Sequence, residues 1–230
     1  VKALRKKTGA GRMDCKKGLT ECDGNLDKAA EWLREKGIAK AQKKGDRIAA
    51  EGLSQIFVEG NNAIILEVNS ETDFVAKNDE FKNFVNVLGN TILNSDVTTM
   101  EEALALEVNG ETIESMIMSI TAKIGEKISF RRFSRLTKND NESFGAYLHM
   151  GGKIASLVLV EGNNEEVARE VAMHAAAMRP MYVNSSMVPT EVLEKEKEIM
   201  RQELLNEGKP ADKIENILVG KVRKFYEEVC

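Results

Sequence analysis

The chain of 230 residues is poor in the side chains that build covalent or metal-held scaffolds. It contains three cysteines, none in a CxxC pair, and only two histidines. An odd number of unpaired cysteines argues against a disulfide framework, and the lack of His/Cys ligand spacing argues against a zinc site. We therefore expect a protein of a reducing compartment, with no metal centre and no cofactor.

Long apolar stretches are also missing. No run reaches membrane-spanning length, and the N-terminus lacks the charged-then-apolar pattern of a secretory signal. The sequence contains no phosphate-binding loop, dinucleotide glycine fingerprint or Ser/His/Asp set. What it does contain is 42% hydrophobic and 30% charged residues, which is typical of a globular protein of one to three small domains. We expect a cytoplasmic protein that performs no covalent catalysis.

The charges are unevenly distributed along the chain. Residues 1–45 contain 13 Lys and Arg against six Asp and Glu, whereas the rest contains 20 against 31. A basic segment on an acidic body favours contact with an acidic surface, either a nucleic acid or an acidic protein face. A solvated basic surface without any partner is the simpler alternative, and charge alone leaves all three open.

The N-terminal residues have the pattern of a small helical domain. We predict three short helices over residues 1–37, which we call the head, with Asn25 capping the third helix and Gly37 ending it. Trp32 is expected in the small core of the head. Residues 38–46 are rich in Lys and Ala, which predicts a helical, exposed linker that gives the head some freedom.

The next part of the chain repeats one order of elements. Strand, Gly/Asn turn, strand and helix occur in residues 47–140 and again in residues 141–188. The pattern predicts an α+β fold with two related subdomains, each a small antiparallel sheet covered by helices. Only the first copy has an insertion, residues 72–75, between its second strand and its helix. A turn present in one copy is more often functional than structural.

The C-terminal residues contain few turn signals. Residues 189–227 have two helical patterns separated by a Gly-Lys-Pro turn, which predicts an antiparallel helical hairpin, or coiled-coil arm. The apolar residues that could face each other are Val192, Ile199, Leu204 and Leu205 on the first helix, and Ile214, Ile217, Leu218, Val222 and Phe225 on the second.

The two histidines have different settings. His174 lies in the apolar pattern of a predicted helix, so we expect it in a core or at a subdomain interface. His149 ends a predicted strand just before a Gly-Gly turn. A single histidine in that position is more often structural than functional.

The most distinctive segment, residues 71–78, joins a predicted buried strand to a helix that Asn78 or Asp79 can cap. Within it, Phe74 is a large apolar side chain beside Asp73 in an otherwise polar turn. Phe74 can fold back as a staple onto the core, or it can project as a wedge toward a partner. The local pattern by itself favours the core interpretation and leaves the wedge open.

Two segments resemble signatures of the elongation factor Ts family. The family's central motif is matched by TDFVAK at residues 72–77, and its N-terminal motif by LRKKTGAGRMDCKK at residues 4–17. The resemblance extends over essentially the whole chain. It implies an exchange factor with a ubiquitin-associated-like three-helix head, two related α+β subdomains and a helical arm. Because the family continues into a short C-terminal module, the resemblance also implies that a chain ending at Cys230 is a C-terminally truncated member.

The resemblance further implies a partner and residue roles. The partner would be elongation factor Tu, a GTPase, in its GDP-bound and nucleotide-free forms, without membrane or direct nucleic-acid contacts. The residues that disturb the partner's Mg²⁺ site would be Thr72, Asp73, Phe74 and Val75. Other partner contacts would be Lys16, Lys44, Ile124, Gly125 and His149. For Lys16, a solvated lysine without a partner is an equal alternative.

Two other classes of function remain open. A nucleic-acid-binding protein could use the basic head, although the head lacks interleaved exposed aromatics and a clear recognition helix. A scaffold could dock proteins through the head without driving exchange. Binding to DNA or RNA that falls steeply with salt would favour the first, and copurification with a GTPase without faster GDP release would favour the second.

Overall fold

A computed structural model describes all residues from 1 to 230. The ten α-helices are α1 (Lys2–Thr8), α2 (Arg12–Glu21), α3 (Leu26–Lys43), α4 (Asp73–Ala76), α5 (Asp79–Leu93), α6 (Met100–Ala105), α7 (Ile113–Ile124), α8 (Glu165–Met178), α9 (Thr190–Asn206) and α10 (Ala211–Val229). The seven strands are β1 (Glu51–Glu59), β2 (Asn62–Ser70), β3 (Glu107–Val108), β4 (Glu111–Thr112), β5 (Ser129–Thr137), β6 (Glu142–His149) and β7 (Ile154–Glu161). All strand pairs are antiparallel, so the fold is α+β.

The chain forms two compact units, Val1–Met173 and His174–Cys230. None of the helices combines the length and the apolar composition that a membrane crossing requires.

The predicted helices of the head are present. They pack around Leu4, Cys15 and Ala29, all of which are fully buried. Asn25 caps α3 as expected, because its side chain accepts a hydrogen bond from a backbone N–H of the first turn at 3.0 Å. Trp32 is half-buried and lies outside this fully buried cluster, so its predicted place in the core is wrong.

The predicted helix end at Gly37 is also wrong. The helix α3 continues without a break to Lys43, so most of the linker is helical as predicted, but as part of α3. Its Ala41 is buried, not exposed. A β-carbon on Gly37 would lie 3.1 Å from Cβ of Ala122, so α3 and α7 approach closely at this point. Packing against α7 explains why a glycine, normally unfavourable inside a helix, does not end this one.

The main core lies between one sheet and the helices that cover it. The strands follow the order β1–β2–β5, and the central strand β2 directs Ile64, Leu66 and Val68 into the core. Helix α5 covers β1 and β2 with an apolar face that includes the fully buried Phe81. These contacts fix the end of β2 and the start of α5, which are the two ends of the segment that carries Phe74.

A β-bulge explains why adjacent arginines interrupt the alternation of β5. Glu67 pairs with Arg132, whereas the next residue, Val68, pairs with Phe130. Arg131 is therefore the extra residue of the bulge, and its insertion shifts the inward and outward positions by one. Both arginines face Glu67, with the Nε of Arg132 at 2.8 Å and the Nε of Arg131 at 3.8 Å from its Oε1.

The repeated order of elements is present as predicted. The hairpin β6–β7 leads into α8, just as β1–β2 leads into α5. Helix α8 lies close to β6 because Gly145 has no side chain: a β-carbon there would be 2.0 Å from the carbonyl oxygen of Ala168. His174 on α8 is exposed, so its predicted buried position is wrong. The division into two related subdomains stays a prediction.

The C-terminal unit contains the predicted helical hairpin. Leu204 of α9 and Ile214 and Leu218 of α10 are buried along the seam. Ile199 and Leu205 are exposed, so placing them on the facing surface is wrong. Leu204 and Leu205 are adjacent, and successive residues point about 100° apart around a helix, so only one of them can face the partner helix.

Candidate partner-binding site

The segment after β2 forms a short helix before the long one begins. Thr72 caps α4, because its hydroxyl oxygen accepts a hydrogen bond from the backbone N–H of Val75 at 3.3 Å. Asn78 then caps α5 as predicted, accepting from the backbone N–H of Glu80 at 2.8 Å. The second copy has no such extra turn, since residues 162–164 connect β7 directly to α8. The insertion is therefore a separate capped helical turn.

The ring of Phe74 projects from this turn into solvent. It is 82% exposed, whereas Phe81 on the next helix is completely buried. The neighbouring side chains of Val75 and Ala76 pack against the core instead. Phe74 is the only exposed residue among the chain's 12 aromatics. The interpretation of Phe74 as a staple onto the core is wrong, and the alternative of a projecting ring is correct.

Asp73 lies beside the ring and stays accessible. Its carboxylate is 3.6 Å from Nζ of Lys77, one helical turn further along the chain. Both side chains are largely exposed, and exposed ion pairs of this kind contribute little stability. Asp73 can therefore exchange this contact for one with another molecule at low cost.

Two glutamates connect the turn to the loop that follows α7. Glu126 accepts hydrogen bonds from the backbone N–H groups of Glu71 (3.2 Å) and Thr72 (3.0 Å), and from the Thr72 hydroxyl (2.8 Å). Glu71 in turn accepts a hydrogen bond from the backbone N–H of Lys127 at 3.1 Å. We call Glu71 and Glu126 the carboxylate clasp. Because its bonds run in both directions, it holds the start of α4 against the end of α7.

The carboxylate clasp brings together two of the predicted contact segments. Ile124 ends α7, and its half-buried side chain packs against the main core. Gly125 follows with φ of 86°, in the left-handed region, and no atom lies within 4 Å of the position of an added β-carbon. The next residue is Glu126, which is hydrogen-bonded to Thr72. Ile124 and Gly125 therefore directly precede the residue that connects this loop to the turn.

Lys44 lies close to the same junction. It is the C-cap residue of α3. The carbonyl of the next residue, Gly45, accepts a hydrogen bond from Nζ of Lys127 at 2.6 Å, and Nη1 of Arg47 is 3.4 Å from a carboxylate oxygen of Glu71. The loop between α3 and β1 is thus attached to the carboxylate clasp.

The structure does not bring Lys16 and His149 to this junction. Lys16 is exposed on α2 and forms no ion pair. His149 is exposed at the end of β6, where its Nδ1 lies 3.0 Å from the hydroxyl of Tyr147. Neither side chain has a hydrogen bond to residues 71–78.

The carboxylate clasp was not predicted from the sequence. Its bonds join residues that are 54 to 56 positions apart, and no local pattern encodes such a pairing. The available signal was position: Glu71 directly precedes the insertion, and Glu126 directly follows Gly125. Each of the two predicted contact segments is thus bordered by a glutamate. This placement is consistent with the two segments being hydrogen-bonded to each other.

Fold and site together describe an α+β protein that presents one exposed aromatic ring on a turn held from several sides, an arrangement typical of proteins that work by binding another protein. Residues 71–230 match the family model described as Elongation factor TS. The chain belongs to the elongation factor Ts family. That family comprises nucleotide-exchange factors for elongation factor Tu in translation elongation, which perform no covalent chemistry. The matched range begins at Glu71 and includes both glutamates of the carboxylate clasp.

Proposed function

We propose that this chain accelerates GDP release from elongation factor Tu by inserting Phe74 near the partner's Mg²⁺ and phosphate site, with Asp73 as its polar companion. The observation that carries the proposal is the exposure of Phe74 on a turn whose backbone is fixed. An apolar side chain of this size gains roughly 1.5–3 kcal/mol when it is buried. That free energy is not used in the free protein and is available in a complex.

The mechanism follows from the charge of the ion. A bound divalent cation is the largest local positive charge facing a diphosphate. A wedge that displaces the groups holding the ion weakens the binding of GDP to the partner. Linkage requires the factor to lower the affinity for GDP by the same ratio that GDP lowers the affinity for the factor. The factor therefore binds the nucleotide-free partner more tightly than the GDP-bound one.

The other contacts surround the wedge. Ile124 and Gly125 press on the phosphate-loop side of the partner, supported by their direct connection to Glu126. Lys44, next to the loop that the clasp holds, and Lys16 on the head attract acidic surface of the partner. His149 forms a separate contact at the end of β6. No cofactor takes part.

The test is GDP release from elongation factor Tu at increasing concentrations of free Mg²⁺, followed by stopped-flow fluorescence of a labelled nucleotide. We expect the acceleration by the factor to fall as Mg²⁺ rises, since ion and wedge compete. Phe74→Ala should remove most of the acceleration. Val58→Ala, which trims an apolar side chain that is 48% exposed on β1, is the control and should behave like the natural chain. An acceleration that does not change with Mg²⁺ would refute the displacement mechanism.

A further inference from the structure

We propose that Glu126 is a positioning residue for Phe74, and that its carboxylate sets the maximal rate of GDP release. This inference rests on the proposed wedge function of Phe74. Helix α4 is only four residues long. Isolated helical turns are unstable in water, because fixing the first turn costs more conformational entropy than its single hydrogen bond returns. The direction of α4, and with it that of the ring, must therefore be imposed by the residues around it.

Glu126 acts on α4 through the hydroxyl of Thr72. This hydroxyl donates a hydrogen bond to Glu126 at 2.8 Å and accepts one from the backbone N–H of Val75 at 3.3 Å. Donation to the carboxylate fixes the rotation of the hydroxyl, so that a lone pair faces Val75. The residues that this relay joins, Thr72 and Val75, flank Phe74 in the chain. Removing the carboxylate frees the cap at the point where the ring is attached.

The remaining contacts of the turn cannot replace this one. Val75 and Ala76 pack into the core and fix the depth of α4, but apolar contacts are not directional. Glu71 holds the other segment, because it accepts its bond from the backbone N–H of Lys127. The hydroxyl of Ser70 donates a hydrogen bond to the carbonyl of Thr72 at 2.9 Å, but this bond does not hold the Thr72 hydroxyl. Outside residues 70–78, Glu126 alone accepts hydrogen bonds from the turn, two from backbone N–H groups and one from the Thr72 hydroxyl.

Positioning should affect the rate more than the affinity. The surface formed by Ile124 and the basic residues does not depend on the direction of the ring, so the partner still binds. A displacement near 1 Å at a reacting centre can lower a rate by about 100-fold. We expect Glu126→Ala to reduce the maximal rate of GDP release by about 10- to 100-fold, within that limit. The concentration of factor that gives half the maximal rate should change by less than about twofold, because the substitution leaves the contacts outside the ring unchanged and does not remove the ring.

The experiment is a double-mutant cycle on GDP release from elongation factor Tu, with Phe74→Ala and Glu126→Ala alone and together. If Glu126 acts through the ring, its substitution has no further effect once the ring is gone. Glu126→Gln keeps one acceptor oxygen and should give an intermediate rate. Glu101→Ala removes the same charge from an exposed position on α6 and should leave the rate unchanged. Thermal unfolding of each variant is measured in parallel.

The outcomes separate the inference from the function on which it rests. Normal exchange by Phe74→Ala overturns the wedge itself. Slow exchange by Phe74→Ala with normal exchange by Glu126→Ala overturns the positioning role alone. An effect of Glu126→Ala that is equally large without the ring shows a general structural role and also overturns it. Should Glu126→Ala fail to fold, Thr72→Val is the alternative, because it removes the hydroxyl relay while keeping the shape of the side chain and should slow GDP release. Thr72→Ser keeps the hydroxyl and should give the natural rate. A full rate for folded Thr72→Val contradicts the inference.

Discussion

Replacing Phe74 by alanine separates function from folding in this protein. The ring is 82% exposed, so truncation removes few contacts within the chain. Substitutions at such positions usually change the free energy of unfolding by no more than about 0.5 kcal/mol. In the complex the same truncation removes an interface anchor, which typically costs roughly 2–4 kcal/mol. At about 1.4 kcal/mol per factor of ten, GDP release should slow by about 30- to 1000-fold.

Phe81→Ala is the matched control for that substitution. Phe81 is the same residue type only seven positions further along, and it is completely buried in the main core. Its truncation should lower the free energy of unfolding by about 3–5 kcal/mol. Folded molecules of this variant keep the ring of Phe74 and should drive exchange at the natural rate.

Two measurements on the same samples test this pair. Urea unfolding followed by circular dichroism gives the stability of each variant. Stopped-flow GDP release, measured without urea under conditions in which all variants are folded, gives its activity. We expect Phe74→Ala to lose activity but not stability, and Phe81→Ala to lose stability but not activity. A Phe74→Ala protein that is well folded and exchanges at the full rate would refute the wedge. A loss of 3 kcal/mol in its stability would show that the ring packs within the chain.

Three further outcomes are expected. In the arm, Leu204→Ala should lower the midpoint of thermal unfolding, at a cost of about 2–5 kcal/mol, whereas Leu205→Ala should change it little because Leu205 is exposed. In the head, the hydrogen bond from Lys7 and its charge hold the pKa of Asp27 below its ordinary value of 3.8; Lys7→Ala should raise that pKa in an NMR titration. The lowered pKa means that this pair stabilises the head above pH 3.8 and is lost as pH falls through the folded-state pKa. Lys16→Ala should raise the half-saturating concentration of the factor at low salt, and the difference should shrink at high salt as charges are screened.

Local signals predicted the elements around the site well. Asn25 and Asn78 cap their helices as their side chains suggest, because a cap is satisfied by backbone groups two or three residues away. The insertion before α5 was visible by comparison with the second copy. The arm was predicted as a hairpin, but adjacent leucines could not be assigned to inside or outside without knowing the rotation of α9.

At Gly37 and Phe74 the local pattern failed for the same physical reason, which is contact between distant segments. Gly37 looked like a helix end, and the cost of a glycine within a helix is only about 1 kcal/mol, which contact with α7 offsets. From the local pattern alone, the ring of Phe74 looked like a staple, because a large apolar side chain in a polar turn usually folds inward; the resemblance to the elongation factor Ts family favoured the projecting wedge instead. The turn that carries the ring is hydrogen-bonded to Glu126, from a loop more than 50 residues away in the chain. Neither contact leaves a local pattern.

The arrangement also separates two kinds of contribution to exchange. Some contacts are made equally with the GDP-bound and the nucleotide-free partner. They raise the affinity of the factor for the partner without lowering the affinity of the partner for GDP, because only differential binding shifts an equilibrium. A basic residue such as Lys16, exposed on the head and unconnected to the carboxylate clasp, fits that uniform role. Phe74 and Glu126 fit the differential role, because Mg²⁺ held together with GDP opposes insertion of the wedge and the nucleotide-free partner does not. Substitutions on the head should therefore move the half-saturating concentration, whereas substitutions at the ring and its clasp should move the maximal rate. A head substitution that lowers the maximal rate at saturating factor would contradict this division, and it would point to coupling through α3 and the bond between Gly45 and Lys127.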